Sequence, residues 1–390
     1  MKYSANLRYT LKITWLLAFR FFLKLFWLFR IDERKIFFMS FNGLQYSDSP
    51  KNISDRLLVE NPEIKQVWAF HDQTKHLNLN SKGILILKTN SLSFIFHILT
   101  SKIIVVNDFI NTYFPIRKNQ KLLNTWHGGG SFKTVGMTTK SYTNYDLFFF
   151  KIHRKMTDTF VSSSDYFHDR VLKRSFLFEG NVLECGLPRN DLLFETCPEI
   201  KGKVREHFGI EQDKKIVLYA PTHRGEYSDD NFLSDRKNVI DVRGCIVALN
   251  KRFGGEYVFL FRAHHIISSS NLNAESFNAT NHPNMQELLY AADILLTDYS
   301  SCLWDFSLMD KPSFIFATDL DKYIDDRDFF MDINEWPFSV SENNQELVHN
   351  ILEFNENDFD SEIKKYFEKL GSSENGQATK RVCDWIDSNL

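Results

Sequence analysis

A histidine followed by three glycines, His127-Gly128-Gly129-Gly130, stands directly after the apolar run from Leu122 to Trp126. Side chains at the end of a strand lie open, and an imidazole titrating near neutrality can take a proton at physiological pH. Consecutive glycines cost backbone entropy, which is recovered where a ligand must come close to the main chain. A histidine satisfied by backbone carbonyls would be the bland explanation; general-base chemistry at His127 is the stronger one. A second group is Arg262-Ala263-His264. Alternate residues of an extended segment share a face, so Arg262 and His264 present two cationic groups to one side, which suits a phosphate. One ion pair to a neighbouring carboxylate would account for them equally. The third group is the stretch from Ala292 to Phe306. It reads as a buried strand, Ile294 to Leu296, a polar corner, Thr297 to Ser301, and the start of a helix. Asp298, Ser300 or Ser301 is placed to cap that helix. A helix N-terminus after a parallel strand gathers free amides and the positive dipole end, an anion site. Alone it is an ordinary capped corner. His223 and His265 each adjoin a better-placed residue, and Lys133 either neutralises a phosphate or sits solvated.

These groups need a scaffold that brings strand ends together. Apolar runs at Ile36–Ser40, Gln66–Phe70, Ile84–Leu87, Ile103–Val106, Leu122–Trp126, Phe148–Phe150, Thr159–Val161 and Val182–Gly186 read as strands. Helical segments after Pro50 and over Ser91–Thr100 alternate with them, which implies parallel pairing. The alternation restarts with strands at Ile216–Ala220, Tyr257–Phe261, Ile294–Leu296 and Phe314–Phe316, and a helix runs from Thr379 to Asn389. Pro198 to Lys203 reads as the exit from the first half. The expected class is α/β with two Rossmann-like domains facing across a cleft. The boundaries are 1–31 for an N-terminal helix, 32–198 for an acceptor-side domain and 199–390 for a donor-binding domain. Ligands of open parallel sheets bind outside the strand C-termini. By that rule Thr222–Arg224, Arg262–His264, Thr297–Ser301 and Asp319 converge in the second half, with the His127 loop facing them.

The chain has 390 residues, 43% of them hydrophobic, enough for two cores. A net charge of −3 gives no case for nucleic acid. Five scattered cysteines without a C-x-x-C pair argue against a disulfide framework or structural zinc. Between Leu7 and Arg30, Arg8, Lys12, Arg20, Lys24 and Arg30 interrupt a run rich in Phe, Leu and Trp. A spanning helix needs roughly 20 mostly apolar residues without such breaks. The pattern predicts a basic amphipathic helix lying on the inner leaflet, the alternative being a helix packed on the protein's own core. Asp319-Leu320-Asp321 and Asp326-Arg327-Asp328 could hold a divalent ion on a nucleotide diphosphate. Such triplets arise easily among 50 acidic residues, and they rank below the histidine mechanism.

Five segments taken in order resemble the CDP-glycerol glycerophosphotransferase family of teichoic acid and capsule synthesis: Trp126-His127-Gly128, Gly186-Leu187-Pro188-Arg189-Asn190-Asp191, Ala220-Pro221-Thr222-His223-Arg224, Arg262-Ala263-His264 and Ala292–Ser301. Ser40-Phe41-Asn42-Gly43 with Tyr46–Pro50 resembles its first loop, and Gly376 to Arg381 its tail. The resemblance implies a GT-B architecture, a CDP-alditol donor with no cofactor and no metal, and an acceptor on a membrane lipid-linked saccharide. The N-terminal helix places the expected enzyme on the cytoplasmic face of the membrane, peripherally bound, and homo-oligomers stay an open partner class. Matched by position, His127 is the general base and His264 the phosphate-facing histidine. Gly128, Gly129, Arg189, Thr222, Arg224, Arg262, Thr297, Asp298, Ser300, Ser301 and Asp305 are expected to bind substrate. The expected reaction moves glycerol phosphate from CDP-glycerol to an acceptor hydroxyl and releases CMP. CDP-ribitol, or a nucleotide sugar, is the alternative donor. The family often reads His-Gly-Thr-Pro where this chain has His127-Gly128-Gly129-Gly130, which implies a different acceptor surface.

Overall fold

The computed structural model describes residues 2–222, 239–262 and 276–390, with side chains from Tyr9 onward. The chain divides into two units. The first is Met1–His127, Val135–Asp191 and Ser373–Leu390; the second is Gly128–Thr134 and Leu192–Ser372.

The first unit is built on strands β1 (Asp32–Met39), β2 (Lys65–Phe70), β3 (Leu85–Lys88), β4 (Ser101–Val106), β5 (Lys121–Asn124), β6 (Thr159–Ser162) and β7 (Asn181–Glu184). Their order is β3-β2-β1-β4-β5-β6-β7 and every pairing is parallel. Alternation along β1 sorts its side chains into two cores: Ile36 and Phe38 pack with Trp68, Phe70 and Ile103, whereas Phe37 and Met39 pack with Val67, Ala69 and Ile104. Burial on both faces explains why these strands read as unbroken apolar runs. Helix α2 (Asp48–Glu60) covers the first core with Ile53 and Leu57, and α3 (Leu92–Thr100) covers the second with Phe94 and Ile98.

The second unit carries β8 (Lys214–Tyr219), β9 (Glu256–Phe261), β10 (Ser276–Asn278), β11 (Ile294–Thr297), β12 (Ser313–Phe316) and β13 (Ser339–Ser341). The order is β10-β9-β8-β11-β12-β13, again all parallel. Each sheet reverses its direction of growth once, between β1 and β4 in the first unit and between β8 and β11 in the second. Such reversal points are where loops part to leave a crevice.

Several expectations change. Phe148–Phe150 lies in helix α4 (Asn144–Met156), not a strand; Thr143 and Asp146 form a reciprocal capping box at its start. A three-residue apolar run carries no period, so the cap decides. The short strands β10 and β13 were not foreseen, since each holds three residues and is largely polar. The strand before His127 stops at Asn124 because Trp126 adopts φ 54°, off the extended conformation.

The C-terminal segment belongs to the first unit, not to the second as the expected 199–390 boundary has it. Its helix, Ala378–Asp387, packs Val382 and Ile386 into the core that holds Ile53 and Leu57. Asp191 accepts the Ala378 and Thr379 amides at 2.9 and 2.7 Å, capping that helix from a distant part of the chain. Glu374 accepts from the Leu187 amide and the Asn190 side chain. Gly186 sits at φ 82°, and a Cβ there would lie 2.6 Å from the Glu374 carboxylate, so glycine is required. The Gly186–Asp191 and tail motifs are thus two halves of one clasp.

Helix α1 (Lys2–Leu23) lies against the first unit. Leu16 and Leu23 are buried, and Arg20 turns inward to donate to the Thr112 and Phe114 carbonyls at 2.5 Å. Arg20 therefore does not share an outward basic face with its neighbours, as the sequence pattern had suggested. The outward side is largely apolar, with Leu11, Trp15, Phe21 and Phe22 exposed, followed by Leu25 and Leu28 in the 3-10 turn Lys24–Leu28, and Lys12 and Lys24 are exposed among them. Among the described residues no helix is long and apolar enough to cross a membrane.

Candidate active site

In the first unit the site is organised around His127. Its Nδ1 lies 2.7 Å from the Asn107 carbonyl oxygen. A carbonyl can only accept, so Nδ1 carries a proton; in the neutral imidazole this leaves the lone pair on Nε2, the tautomer a general base needs. Asn107 follows β4 and is fully buried; its side-chain oxygen accepts the Phe41 amide at 2.7 Å. The imidazole is flanked by rings, with Trp126 centred 4.4 Å away and Phe41 5.6 Å away. Arg189 fixes the main chain of the same residue. Its Nη1 donates to the His127 carbonyl at 2.6 Å and to Asp48 at 2.9 Å, both side chains being nearly inaccessible to solvent.

The glycines that follow open the second unit. Gly128 is half-buried and Gly129 is buried. Gly130 is constrained from within: a Cβ there would overlap the ring of Phe132, which is itself buried against Trp336. Close approach of the backbone at Gly130 therefore serves a packed side chain. Lys133 pairs in a short antiparallel bridge with Phe329.

At the reversal point of the second sheet, two strand ends are tied together. Thr297 donates its hydroxyl proton to the Ala220 carbonyl at 2.6 Å. Asp298 accepts the Thr222 amide with both oxygens, at 2.9 and 3.0 Å. Both residues are buried. Asp298 thus holds the loop after β8 and does not cap the helix that follows. That helix, Cys302–Ser307, begins after Ser301, which makes no side-chain cap bond; Ser300 Oγ accepts the Cys302 amide at 3.4 Å. At six residues it is short, so its anion-attracting power rests on local amides more than on a macrodipole. Asp305, within it, accepts from Gln286 at 3.1 Å and is buried. Arg262 emerges from the end of β9, donates to the His282 carbonyl at 2.6 Å, and has its pKa lowered by burial. Asp319 accepts the Tyr299 hydroxyl at 3.0 Å, and Tyr299 stacks on Tyr323. His223, Arg224, His264 and His265 lie outside the described residues.

Thr222, Arg262, Thr297, Asp298 and Ser300 thus gather at the ends of β8, β9 and β11, where loops beyond parallel strand C-termini are expected to converge. Asn107 and Asp48 were missed. A polar residue closing the run Ile103-Ile104-Val105-Val106 was the available signal for Asn107; nothing local marked Asp48 as the partner of Arg189.

A model of the family described as CDP-glycerol:poly(glycerophosphate) glycerophosphotransferase matches residues 21–388. The chain is 28% identical over 379 residues to a teichoic acid poly(glycerol phosphate) polymerase of Staphylococcus epidermidis, covering 92% of this chain and 51% of that one. It thus spans about half the length of that relative. With a teichoic acid glycerol-phosphate transferase of Staphylococcus aureus it shares 27% identity over 91% of this chain and 93% of the other. A solved structure of the wall teichoic acid polymerase TagF superimposes with a TM-score of 0.82 at 26% identity, covering 99% of this chain and 97% of that one.

Proposed function

The chain belongs to the CDP-glycerol:poly(glycerophosphate) glycerophosphotransferase family, and we propose that it transfers glycerol phosphate from CDP-glycerol to a hydroxyl of a lipid-linked saccharide, releasing CMP. In this reading the acceptor oxygen attacks the β-phosphorus, the bond from that phosphorus to the bridging oxygen breaks, and the acceptor proton passes to His127 Nε2. The observation that carries it is the fixed tautomer of His127, held by the Asn107 carbonyl at 2.7 Å. The diphosphate is held by Thr222, Arg224, Arg262, His264, Ser300 and Ser301, whose donors meet the charge that moves onto CMP. Thr297, Asp298 and Asp305 shape that donor loop, and Gly128 and Gly129 leave room for the reacting groups. Arg189 acts through the main chain of His127. The proposed transfer uses no metal.

The outward apolar side of α1, with Lys24 and Arg30 near its end, supports peripheral attachment to an anionic membrane surface, on the cytoplasmic side where a nucleotide donor is made. The test is transfer from CDP-glycerol to extracted lipid-linked saccharides, with CDP-ribitol and UDP-sugars as competing donors and CMP as the measured product. General-base assistance is worth roughly 10²–10⁴-fold, so His127→Ala should lose turnover on that scale while keeping CDP-glycerol affinity. Near-normal turnover in His127→Ala removes the proposed base.

A further inference from the structure

The reversal point of the first sheet holds a cavity of about 380 Å³, within the roughly 300–1,000 Å³ of small-ligand pockets. It opens where the strand ends part: Asn42 comes from the loop after β1, His71 and Asn90 follow β2 and β3, and Asn111 lies beyond β4. Helix α1 closes one side with Lys12 and Trp15. Nothing in the transfer mechanism above uses these residues.

Three observations define the occupant. The first is chemistry. The walls are aromatic rings interleaved with side-chain amides, the combination that binds sugar faces and hydroxyls. No lining residue is a carboxylate. The Lys12 ammonium sits 4.3 Å over the Tyr145 ring, and among the described residues no acid pairs with it. A cation so placed suits a phosphate. The second is backbone conformation. Asn42 and Asn90 hold φ of 54° and 61° at this rim, and Phe41 beside them holds 45°; left-handed non-glycine residues gathered at one site are a mark of function. The third is position. Phe41 packs its ring on His127 and gives its amide to Asn107, the residue that fixes the imidazole. The other end of the pocket meets Trp15, which continues into the exposed apolar side of α1.

We propose that this pocket binds the head of the acceptor, a saccharide joined through a phosphate group to a long apolar chain, with the phosphate at Lys12 and the chain leaving along α1. The identity of the occupant rests on the transferase reading; occupancy of the pocket is tested without transfer. The probe is farnesyl-diphospho-N-acetylglucosamine, titrated calorimetrically into the full chain and into Lys12→Glu and Asn111→Trp. Both positions are exposed rim residues, and an unchanged melting temperature and CDP-glycerol affinity show that each variant is folded. Probe affinity should fall by about tenfold or more in each variant, by charge reversal in one and by filling in the other. Unchanged probe affinity in both variants overturns the assignment. So does loss of the probe's binding heat when the chain is first saturated with phosphatidylglycerol vesicles, which would make the pocket one for glycerophospholipid. Weakened probe binding in an enzyme that transfers nothing from any CDP-alditol supports the pocket and removes the transfer reading, so the two failures are distinct.

Discussion

Arg189 offers the sharpest test of how the first unit holds His127, the proposed base. One guanidinium nitrogen donates to both the Asp48 carboxylate and the His127 carbonyl. The side chains of Arg189 and Asp48 are only 7% and 5% exposed, so solvent cannot replace either partner. Replacing Arg189 by Leu leaves the carboxylate buried with the Ser49 amide, at 2.7 Å, as its remaining short backbone donor. Removing one partner of such a pair costs roughly 3–5 kcal/mol, against roughly 0–1 for a surface pair. Asp48 sits at φ 62°, a conformation asparagine tolerates, so Asp48→Asn removes the charge without forcing the backbone. Urea denaturation of the two single variants and the double should show the double costing less than the sum, by about 1–3 kcal/mol. Turnover should fall too, because a displacement of about 1 Å at a reacting group can cost roughly 100-fold. If Arg189→Leu unfolds within about 1 kcal/mol of the parent, the pair is not holding this corner and the positioning role for Arg189 is wrong.

Burial holds the His153 imidazole neutral, its pKa lowered from 6.5 to about 3, with the nearby Arg20 adding to the effect. The folded state thus resists a proton that the unfolded chain takes up below pH 6.5; stability is complete above that value and is lost as pH falls toward 3, by about 1 kcal/mol per pH unit. His153→Leu should flatten this part of the pH–stability curve in urea melts. Gly130→Ala drives a methyl into the Phe132 ring and should cost about 1–3 kcal/mol, with Phe132→Leu in the same chain recovering part of it. Replacing Phe21, Phe22 and Leu25 together by Glu should release the protein from anionic vesicles with its melting temperature unchanged, since all three side chains face outward. Deleting the whole helix is the poorer experiment, because Leu16, Arg20 and Leu23 are part of the first unit's packing.

Strand positions and the parallel class were legible because buried parallel strands announce themselves as apolar runs, and most predicted strands fell within a residue or two of those observed. Phe148–Phe150 shows the limit of that signal: three aromatic residues have no period, and the Thr143 and Asp146 cap that makes them helical lies outside the run. Site residues at strand ends were legible for the same reason as the strands, since strand order places Thr222, Arg262 and Thr297 together. What each side chain does there was not. Asp298 looks like a helix cap in sequence, one residue from Tyr299-Ser300-Ser301, yet its partner is the Thr222 amide, 76 positions away in the chain.

The same blindness to distant partners governs the tail. Nothing near Asp191 in sequence needs a cap, and nothing near Ala378 supplies one; each end is incomplete by itself. Asp191 and Glu374 each accept amides of the other segment, and Gly186 leaves room for the Glu374 carboxylate, which makes the final helix a fixed wall of the first core. The consequence reaches His127. Arg189 stands two residues before Asp191 in that clasp and also binds the His127 carbonyl. Loosening the tail should therefore be felt at His127. Asp191→Ala removes two charge-assisted bonds at a buried helix start, each worth roughly 1.5–3 kcal/mol, and turnover should fall with stability. Substitution of an exposed residue of the same helix, such as Lys380→Ala, should change neither. An Asp191→Ala enzyme that is destabilised but turns over normally would separate the tail from the site and confine the clasp to folding.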